Sequence, residues 1–417
     1  MKVLVIGSGG REHAIVDALS RSAQVEKIYA APGNAGMALQ AERVDIREKE
    51  VERLRDFALE HQIGLTVVGP EAALAVGIVD AFKEAGLRIF GPNKSAARIE
   101  SSKEFAKELM AKYNIPTAKY RVFSKYEDAK EYVHKQGAPI VLKYDGLAAG
   151  KGVVVAQTLE EADEALKDML LDDKFGEGKV VVEECLVGPE FSYMCFVSGS
   201  KVWPMVSAQD HKRAYEGDKG PNTGGMGAYS PVPFITKEDE EYALREIMQP
   251  TADAMVKEGC PFEGVLYGGL MKTPNGIKVI EFNARFGDPE TEVVLPRLKS
   301  DIVDAFCAVA DHGEVDLEWH DYATLGIVLA SKGYPASYEK GFKIEGLDKA
   351  AEGGWLYHMG TARDEEGFKT AGGRVLCVIG KGADLEEAHA KAQRCVEEVK
   401  CDNLFHRTDI GWRAFKK

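Results

Sequence analysis

Short apolar runs alternate with amphipathic stretches along residues 1–100, and this alternation restricts the possible folds more than any other feature of the chain. Each apolar run has the length of a buried strand and ends at a glycine, a proline or a small residue. The predicted strands are Val3–Ile6, Ile28–Ala30, Leu65–Val68 and Arg88–Phe90. The predicted helices between them are Glu12–Arg21, Glu48–His61 and Ala72–Ala85. This pattern is typical of a doubly wound parallel sheet, so we predict an α/β domain at 1–100.

A second, α+β unit is predicted over residues 101–321, and its first part, about residues 122–192, is compact enough to move as a lid. The helices predicted there are Ser102–Tyr113, Lys125–Gln136, Leu159–Leu171 and Lys237–Gly259. The strands predicted there are Ile140–Lys143, Val153–Ala156, Val180–Glu184, Gly264–Met271 and Lys278–Phe282, with further strands within Phe191–Trp203. The segment Asp210–Pro233 is predicted to be a long loop, and such loops inside compact domains are usually functional.

A small α+β domain is predicted at residues 322–417. Its predicted strands and final helix are Thr324–Ser331, Trp355–Thr361, Arg374–Gly380 and Asp384–Val399. A length of 417 residues also favours several domains over one.

The formal net charge of −14 argues against broad binding to nucleic acid or membranes, which requires clustered lysine and arginine. The apolar run at the N-terminus is too short for a signal peptide, and no run approaches the ~20 residues of a spanning helix. The seven cysteines form no C-x-x-C pair, so we expect reduced thiols in the cytoplasm and no zinc site.

The glycine-rich segment Gly7–His13 lies between a predicted strand and a predicted helix. Glycines allow the backbone to approach a ligand closely, and the N-terminus of a helix attracts anions. Glu12 stands where a dinucleotide-binding pattern requires its third glycine. We therefore expect a phosphorylated or anionic substrate here; the alternative is a tight turn without a ligand.

A second glycine-rich segment, Lys143–Val153, contains three glycines and two lysines between two predicted strands. Small residues free backbone N–H groups to contact phosphate oxygens, and lysines supply positive charge. Lys103, on the preceding helix, is a candidate for a further phosphate ligand. The alternatives are a flexible hairpin and a solvated lysine.

The strand end Val181–Leu186, followed by Gly188–Glu190, is typical of a hinge that leaves a core. Backbone groups in such a hinge can bind adenine, and a carboxylate can accept hydrogen bonds from ribose hydroxyls. The alternative is a pair of exposed acids at a strand end.

The segment Val279–Glu290 gives the strongest single indication of a site. Glu281 and Asn283 alternate along a predicted strand, so their side chains leave it on the same face. Carboxylate and amide oxygens suit magnesium, with substrate phosphates completing the shell. Arg285 continues this face and is suited to hold a transferring phosphoryl group. The alternative is a polar edge strand.

Two clusters lie in the predicted long loop: the mixed-charge Asp210–Arg213 and the glycine-rich Gly220–Gly227. The second is suited to close over a small substrate; the alternative is a solvated loop. The sequence contains neither G-x-S-x-G nor H-E-x-x-H, so it gives no indication of a nucleophilic side chain.

In this order, a lysine-bearing helix, a glycine-rich lid loop, an E-E-x-L hinge and an E-x-N strand resemble the ATP-grasp superfamily. Three stretches narrow the resemblance to the phosphoribosylamine–glycine ligase family: GSGGREHA, HKRAYEGDKGPNTGGMGAYSP and NARFGDPETE. The resemblance covers essentially the whole chain, and the last two stretches are specific within the superfamily.

The resemblance implies a Rossmann-like N-terminal domain, an ATP-grasp core with a mobile lid and a small C-terminal domain. It implies that glycine and phosphoribosylamine are joined in purine biosynthesis, with ATP and Mg²⁺ (or Mn²⁺), to give glycinamide ribonucleotide, ADP and phosphate. We accordingly expect only small-molecule partners, no nucleic acid or membrane, and a monomer or weak homodimer.

The resemblance also implies roles for individual residues. The implied ATP-binding residues are Lys103, Lys143, Gly146, Gly150, Lys151, Gly152, Glu183, Glu184, Leu186 and Glu190. The implied metal ligands are Glu281 and Asn283. The residues expected to bind the other substrates are Gly9, Gly10, Arg11, Asn222, Thr223, Gly224, Gly225 and Asp288. The residues expected to act in catalysis are Arg285, Asp210 and Lys212.

One departure from the pattern concerns the metal. The preceding strand, Leu266–Leu270, carries no acid, so the shell must use water, phosphates or an acid from elsewhere. Three other functions are alternatives for this sequence: an ATP-grasp ligase for another acid or amine, a nicotinamide dehydrogenase and a non-catalytic nucleotide sensor. The NTGGMGAYSP loop argues against the first, the sequence after Ser101 against the second, and the lysines with the E-x-N pair against the third.

Overall fold

The N-terminal sheet is parallel, as predicted, in a computed structural model that describes residues 1–146, 152–172 and 178–415. Its strands are ordered β3-β2-β1-β4-β5, and residues 3–6 of the central strand β1 are fully buried. The elements are β1 (Lys2–Gly7), α1 (Gly10–Ser20), β2 (Lys27–Pro32), β3 (Glu42–Arg43), α2 (Val51–Glu60), β4 (Leu65–Val68), α3 (Glu71–Ala75), α4 (Ile78–Glu84), β5 (Ile89–Phe90) and α5 (Arg98–Ser101).

Two details of this region differ from the prediction. The single helix predicted at Ala72–Ala85 was wrong, because Gly77 adopts a left-handed conformation (φ 87°) and divides the segment into α3 and α4. The short edge strand β3 was not predicted, since its two residues are polar and exposed and carry no apolar pattern.

The lid is an antiparallel sheet, ordered β6-β9-β7-β8, that carries two helices. Its apolar side chains, from Ala129 to Val182, form a core of their own. Helix α6 (Lys103–Lys112) precedes it, and its elements are β6 (Tyr120–Phe123), α7 (Tyr126–Gln136), β7 (Ile140–Tyr144), β8 (Val153–Ala156), α8 (Leu159–Leu170) and β9 (Val180–Glu184).

The following segment forms an antiparallel core sheet ordered β11-β10-β16-β17. Its elements, in chain order, are β10 (Glu190–Ser198), β11 (Lys201–Pro204), β12 (Gln209–Asp210), β13 (Arg213–Tyr215), β14 (Lys219–Asn222), β15 (Gly227–Ser230), α9 (Lys237–Ala243), α10 (Gln249–Lys257), β16 (Glu263–Thr273), β17 (Gly276–Asn283), α11 (Glu290–Val294) and α12 (Ile302–Ala310). A π-helical turn at Leu244–Met248 joins α9 to α10, so the long helix predicted there is continuous.

The prediction of a long loop at Asp210–Pro233 was wrong. Strands β13 and β14 form a hairpin, while β12 and β15 pair with each other and extend the C-terminal sheet. The many glycines of this segment hid these strands, because glycine contributes no apolar side chain to a strand pattern.

The C-terminal sheet is ordered β12-β15-β18-β22-β19, and β23 pairs with β18. Its elements from residue 323 onward are β18 (Ala323–Ser331), α13 (Leu347–Ala350), β19 (Gly354–His358), β20 (Thr361–Asp364), β21 (Gly367–Thr370), β22 (Arg374–Gly382), α14 (Leu385–Glu398), β23 (Leu404–Phe405) and α15 (Trp412–Phe415). The single strand predicted at Trp355–Thr361 was wrong at its end, because β19 and β20 belong to different sheets.

Four phenylalanines join the N-terminal sheet to the core sheet. Phe90, Phe196, Phe286 and Phe306 come from four separate elements or loops, and their ring centroids lie 4.5–6.4 Å apart. All four are essentially inaccessible to solvent. Aromatic clusters of this kind contribute strongly to burial, so these regions form one packed body.

In the described part of the chain, no helix combines the length and the apolar character needed to cross a membrane.

Candidate active site

A cavity of about 830 Å³ opens where the lid, the end of β17, the β13–β14 hairpin and the N-terminal turn meet. Most of the predicted site residues line it: Arg11, Lys103, Lys143, Gly146, Gly152, Glu183, Glu184, Leu186, Glu190, Asp210, Lys212, Asn222, Thr223, Gly224, Glu281, Asn283, Arg285 and Asp288. Side chains that are far apart in the sequence therefore face one space. Gly150 and Lys151 lie outside the described residues.

Three predicted substrate-binding glycines, Gly9, Gly10 and Gly225, are not among the described residues that line the cavity. The Gly9 amide donates to the Glu12 carboxylate (2.7 Å), and a β-carbon at Gly10 would lie 2.4 Å from Glu292 Oε1. A β-carbon at Gly225 would lie 2.4 Å from the Pro289 ring. Close packing behind the cavity wall thus accounts for these glycines.

A β-bulge in β17 sets the direction of the acid and the amide. Leu270 of β16 pairs with Val279, but the next residue, Gly269, pairs with Glu281, so Ile280 is the extra residue of the bulge. The bulge changes the alternation: Ile277 and Val279 are buried in the core, whereas Glu281 lines the cavity. A bulge re-aims the side chains that follow it, which here brings Glu281 and Asn283 to the cavity.

Two lysines share one buried acid deep in the cavity. Glu183 lies 3.1 Å from Lys143 Nζ and 3.2 Å from Lys107 Nζ, and all three side chains are at most 4% exposed. Lys143 also donates to the Ile280 carbonyl (2.7 Å), which ties the lid to β17. Burial lowers the pKa of Lys107 to about 8, although Glu183 opposes this shift. Glu183, predicted at the adenine, therefore has its carboxylate between two lysines.

Lys103 completes a set of three lysines near Glu281. Its Nζ donates to the Gly146 carbonyl (3.1 Å), and burial together with the charge of Lys143 lowers its pKa. Burial favours the neutral form of Glu281, but Lys212, Lys143 and Lys103 outweigh it and lower the pKa of Glu281. The acid is therefore ionised and faces a positive field suited to phosphate oxygens.

Glu281 and Asn283 fit a divalent cation as part of a larger shell. Both offer oxygen donors, and magnesium usually takes only one or two carboxylates and fills its shell with water and phosphates. Among the described residues no group of three or more histidine, cysteine, aspartate or glutamate side chains has metal-binding geometry. The protein by itself thus supplies an open, incomplete site.

Asp210 and Lys212 lie just before the β13–β14 hairpin, and both line the cavity. Lys212 Nζ lies 3.2 Å from Glu190 Oε2, and the carboxylates of Glu190 and Asp210 raise the pKa of Lys212 against the effect of burial. Burial, helped by Glu290 and Glu190, raises the pKa of Asp210 to about 7 even though Lys212 opposes it. A carboxyl group with a pKa near neutrality can exchange a proton during a reaction.

Arg285 is fixed by two acids from the N-terminal side of the chain. Its guanidinium lies 3.3 Å from Glu71 and 2.9 Å from Glu100, and Glu100 also accepts from the Ala284 amide (2.7 Å). Burial acts to raise the pKa of Glu71, but Arg285 and Arg11 hold it at about 2. The arginine is therefore pre-oriented at the cavity wall and remains charged.

Asp288 lies beside the N-terminal turn. Its Oδ1 is 3.0 Å from Arg374 Nη1, and its Oδ2 accepts a long hydrogen bond (3.4 Å) from the Arg11 amide. The same Arg374 nitrogen donates to the Gly224 carbonyl (2.9 Å) and so holds the hairpin loop beside Asp288. Thr223 also stabilises the loop, because its hydroxyl accepts a hydrogen bond from the Gly225 amide (2.9 Å).

The chain matches three descriptions of a single family in the order of its domains. Residues 1–100 match the N domain of phosphoribosylglycinamide synthetase, residues 101–291 its ATP-grasp (A) domain and residues 324–413 its C domain. The chain belongs to this family. Relatives named phosphoribosylamine–glycine ligase include one from Halalkalibacterium halodurans, 56% identical over 99% of this chain and 97% of its own length. Another, from Streptococcus pneumoniae serotype 4, is 51% identical over the full length of both chains.

Solved structures agree with this assignment. The crystal structure of a phosphoribosylamine–glycine ligase from Thermotoga maritima superposes with a TM-score of 0.86 at 34% identity, covering 98% of this chain and 100% of that one. A biotin carboxylase domain from Hydrogenobacter thermophilus, in complex with MgADP, ADP and bicarbonate, superposes with a TM-score of 0.72 at 16% identity, covering 97% and 91%. The second likeness is one of fold alone.

Several cavity residues were missed by sequence reasoning. Lys107 follows Lys103 by four residues, which places both on one helix face, and this spacing could have indicated it. Glu290 lies inside the singled-out segment and accepts from the Tyr267 hydroxyl (2.8 Å) and the Ser192 hydroxyl (2.9 Å). Glu71, Glu100 and Arg374 carried no local signal, because only the tertiary fold brings them to the cavity.

Proposed function

We propose that the protein joins glycine to 5-phosphoribosylamine, with conversion of ATP into ADP and phosphate, giving glycinamide ribonucleotide for purine biosynthesis. The observation that carries this proposal is the match of the whole chain, in domain order, to one family whose curated relatives bear this ligase name. The cavity supports it, because lysines suited to phosphates and polar groups suited to a second substrate line the same space.

Lys103 and Lys143 hold the phosphates of ATP, and Gly146 and Gly152 line the same cavity. Their positive charges already lower the pKa of Glu281, so an anionic ligand would enter a field prepared for it. Glu281 and Asn283 would hold a magnesium or manganese ion. That ion would neutralise charge on the transferring phosphoryl group.

Adenine and ribose occupy the hinge between the lid and the core sheet. Glu184, Leu186 and Glu190 line the cavity there, and Glu184 is held in place because its Oε1 accepts from the Lys119 amide (3.0 Å). Glu190 pairs with Lys212, so a ribose hydroxyl at Glu190 would bring the nucleotide beside the catalytic hairpin.

The reaction proceeds in two steps through glycyl phosphate. A glycine carboxylate oxygen attacks the γ-phosphorus of ATP, the bond from that phosphorus to the bridging oxygen breaks, and ADP leaves. The amine nitrogen of phosphoribosylamine then attacks the glycyl carbonyl carbon, and inorganic phosphate leaves. Arg285 stabilises charge on the transferring group, and Lys212 orients the carboxylate.

The second step releases a proton from the attacking amine. Asp210 is suited to accept it, because burial keeps its pKa at about 7 and its carboxylate faces the cavity. No covalent enzyme intermediate is required, which agrees with the absence of a nucleophile motif in the sequence.

The decisive experiment measures ADP release from the purified protein with ATP, magnesium, glycine and freshly prepared phosphoribosylamine, each omitted in turn. We expect ADP only in the complete mixture. Faster release with bicarbonate or another amino acid in place of glycine would overturn the proposed specificity.

A separate test shows which phosphorus atom of ATP the glycine carboxylate attacks. Glycine labelled with oxygen-18 in its carboxylate should transfer one labelled oxygen to inorganic phosphate per turnover and none to AMP. Labelled AMP would contradict glycyl phosphate and indicate an adenylate instead.

A further inference from the structure

A fully buried acid lies beneath the glycine-rich turn, outside the catalytic set described above. Glu292 is 0% exposed, and neither of its carboxyl oxygens has a hydrogen-bond donor from another group in the part of the chain that the structure describes. An ionised carboxylate in such a place would be strongly destabilising. The carboxyl group of Glu292 must therefore be protonated and neutral, or it must interact with a neighbouring side chain.

The surroundings of Glu292 are mostly apolar and tightly packed. A β-carbon at Gly10 would lie 2.4 Å from Glu292 Oε1 and 2.9 Å from Met359, so the glycine makes room for the carboxyl group. The titratable and charged groups that face Glu292 are Asp288, Arg374, Tyr357 and Cys377. Of these, Asp288 is the acid placed to share a hydrogen bond with Glu292, which requires a proton on one of the two carboxyl groups.

The two carboxyl groups divide their charge unequally. Burial and the negative charge of Asp288 raise the pKa of Glu292 well above its ordinary value, and Arg374 only partly opposes this. Burial also acts on Asp288, but Arg374 and Arg11 outweigh it and lower the pKa of Asp288. One proton is thus shared by the pair and resides on Glu292, as is usual for adjacent carboxyl groups in unlike environments.

We propose that Glu292 is a positioning residue: its neutral carboxyl group donates a hydrogen bond to Asp288 and fixes the Asp288 carboxylate toward the cavity. Arg374 holds one oxygen of Asp288, and the Arg11 amide approaches the other, so Glu292 completes a three-point support. The carboxylate held in this way accepts from the hydroxyl or amino groups of a phosphorylated ribosylamine. This inference rests on the proposed function.

The position of Asp288 indicates which substrate it serves. Asp288 Oδ2 is 3.4 Å from the place where a β-carbon of Gly9 would lie, so it stands at the N-terminal turn, and the positively charged residues that contact it are Arg11, through its amide, and Arg374 rather than the lysines proposed for ATP. A loss of its orientation should weaken the sugar-phosphate ligand and leave the nucleotide unaffected.

The test uses two variants of the full-length protein, Glu292→Gln and Glu292→Leu, with Glu292→Met in reserve if the leucine variant does not fold. Glutamine keeps the donor to Asp288, whereas leucine removes it at similar volume. Calorimetry would measure binding of glycinamide ribonucleotide, which is stable in solution, and of MgADP. We expect Glu292→Gln to bind the ribonucleotide within about threefold of wild type and Glu292→Leu at least about tenfold more weakly, which is the loss of roughly one hydrogen bond to a charged group.

Binding of MgADP should be equal in all three proteins, since a purely structural defect would disturb both ligands. Equal ribonucleotide affinity in wild type and Glu292→Leu would overturn the proposal. So would Glu292→Gln binding as weakly as Glu292→Leu.

The dependence of stability on pH separates this inference from the proposed function. The pKa of Glu292 in the folded protein is raised above 4.5. Its contribution to the free energy of unfolding is therefore complete below pH 4.5 and is lost as the pH rises toward the folded pKa. The melting temperature of Glu292→Gln should therefore rise relative to wild type as the pH increases above 4.5. If wild type binds MgADP but no glycinamide ribonucleotide, the proposed function fails. The trend of melting temperature with pH still decides in that case whether Glu292 is neutral. If the trend is absent, the proposed sharing of a proton between Glu292 and Asp288 is overturned.

Discussion

Among the described residues, the lid packs most of its buried apolar side chains against one another, whereas the N-terminal, core and C-terminal sheets share theirs. Every residue of the lid core lies between Phe123 and Val182. By contrast, one continuous core contains Val5 of the first sheet, Phe196 of the core sheet and Val328 of the C-terminal sheet. The same cavity is therefore bounded by an independent unit on one side and a single packed body on the other.

The contacts that join the lid to that body are mainly polar. Lys179 pairs with Glu104 (2.6 Å), the Glu104 amide donates to Asp145 (3.1 Å), and Lys143 reaches the Ile280 carbonyl. The Lys179–Glu104 pair is exposed and contributes little to stability, whereas the Lys107–Glu183 pair across the same boundary is buried and is the stronger polar link. Neither pair buries apolar surface as the shared core does. The comparison shows that the lid lacks the apolar packing that joins the other three sheets into one body.

The largest effect is expected in the packed body. Glu281→Gln should lower kcat by roughly 10²–10³-fold, because it would remove an anionic ligand from the proposed magnesium or manganese ion, and should leave the melting temperature nearly unchanged. Steady-state assays with saturating magnesium and thermal melts would measure both. Glu241→Gln, at an exposed position on α9, is the matched control. Turnover close to that of wild type would contradict the assignment of Glu281 as a metal ligand.

Two substitutions, each of a buried side chain by alanine, test directly whether the lid and the packed body unfold separately. Phe306→Ala, in the shared aromatic cluster, should cost roughly 3–5 kcal/mol of global stability. Leu166→Ala, equally buried but in the lid core, should cost about 2–5 kcal/mol within the lid alone. Hydrogen exchange would then show faster exchange in α7 and α8 of Leu166→Ala with β1 and β16 unaffected. Faster exchange of β1 in that variant would show that the two units unfold together.

Acid should loosen the packed body before the lid. Burial lowers the pKa of His13 to about 4 and that of His358 to about 3, and His13 Nδ1 accepts from the His358 amide (2.8 Å) at the contact of α1 with β19. The pKa values of both histidines in the folded protein lie below the ordinary value of about 6.5. Their contribution to the free energy of unfolding is therefore complete above pH 6.5 and is lost as the pH falls toward 4, by at most roughly 3 kcal/mol per histidine.

Chemical unfolding at a series of pH values would measure this loss. His13→Gln should reduce its steepness, while the control His134→Gln, at a half-exposed lid site, should not change it. A wild-type stability that stays level between pH 6.5 and 4 would contradict the argument.

The smallest effect is expected where the lid meets the body. Lys179→Met removes the pair with Glu104, and both groups are substantially exposed, so the free energy of unfolding should change by only about 0–1 kcal/mol. Denaturant titration would measure it, with Lys201→Met, which removes another exposed pair, as control. A loss similar to that of Phe306→Ala would show that the lid is not an independent unit.

Much of the fold and of the site could be predicted from the sequence. The strand Val180–Glu184, the strand Val153–Ala156 and the parallel N-terminal sheet were confirmed, because each has an apolar pattern of the right period bounded by breakers. The hairpin in residues 213–222 was missed, since its strands are short and polar and depend on contacts with the C-terminal segment, where Arg407 and Arg413 bind Asp218.

The sequence by itself determined the chemical groups of this protein: the lysines, the glycine-rich turns and the E-x-N strand, each recognisable within a few residues. Only the tertiary structure decided how they are used. The bulge at Ile280 directs Glu281 to the cavity, Glu71 and Glu100 fix Arg285, and Arg374 reaches Asp288 from a strand 86 residues away. The physical reason is that spacing along the chain encodes local conformation, whereas charge pairing and burial depend on segments that meet only after folding.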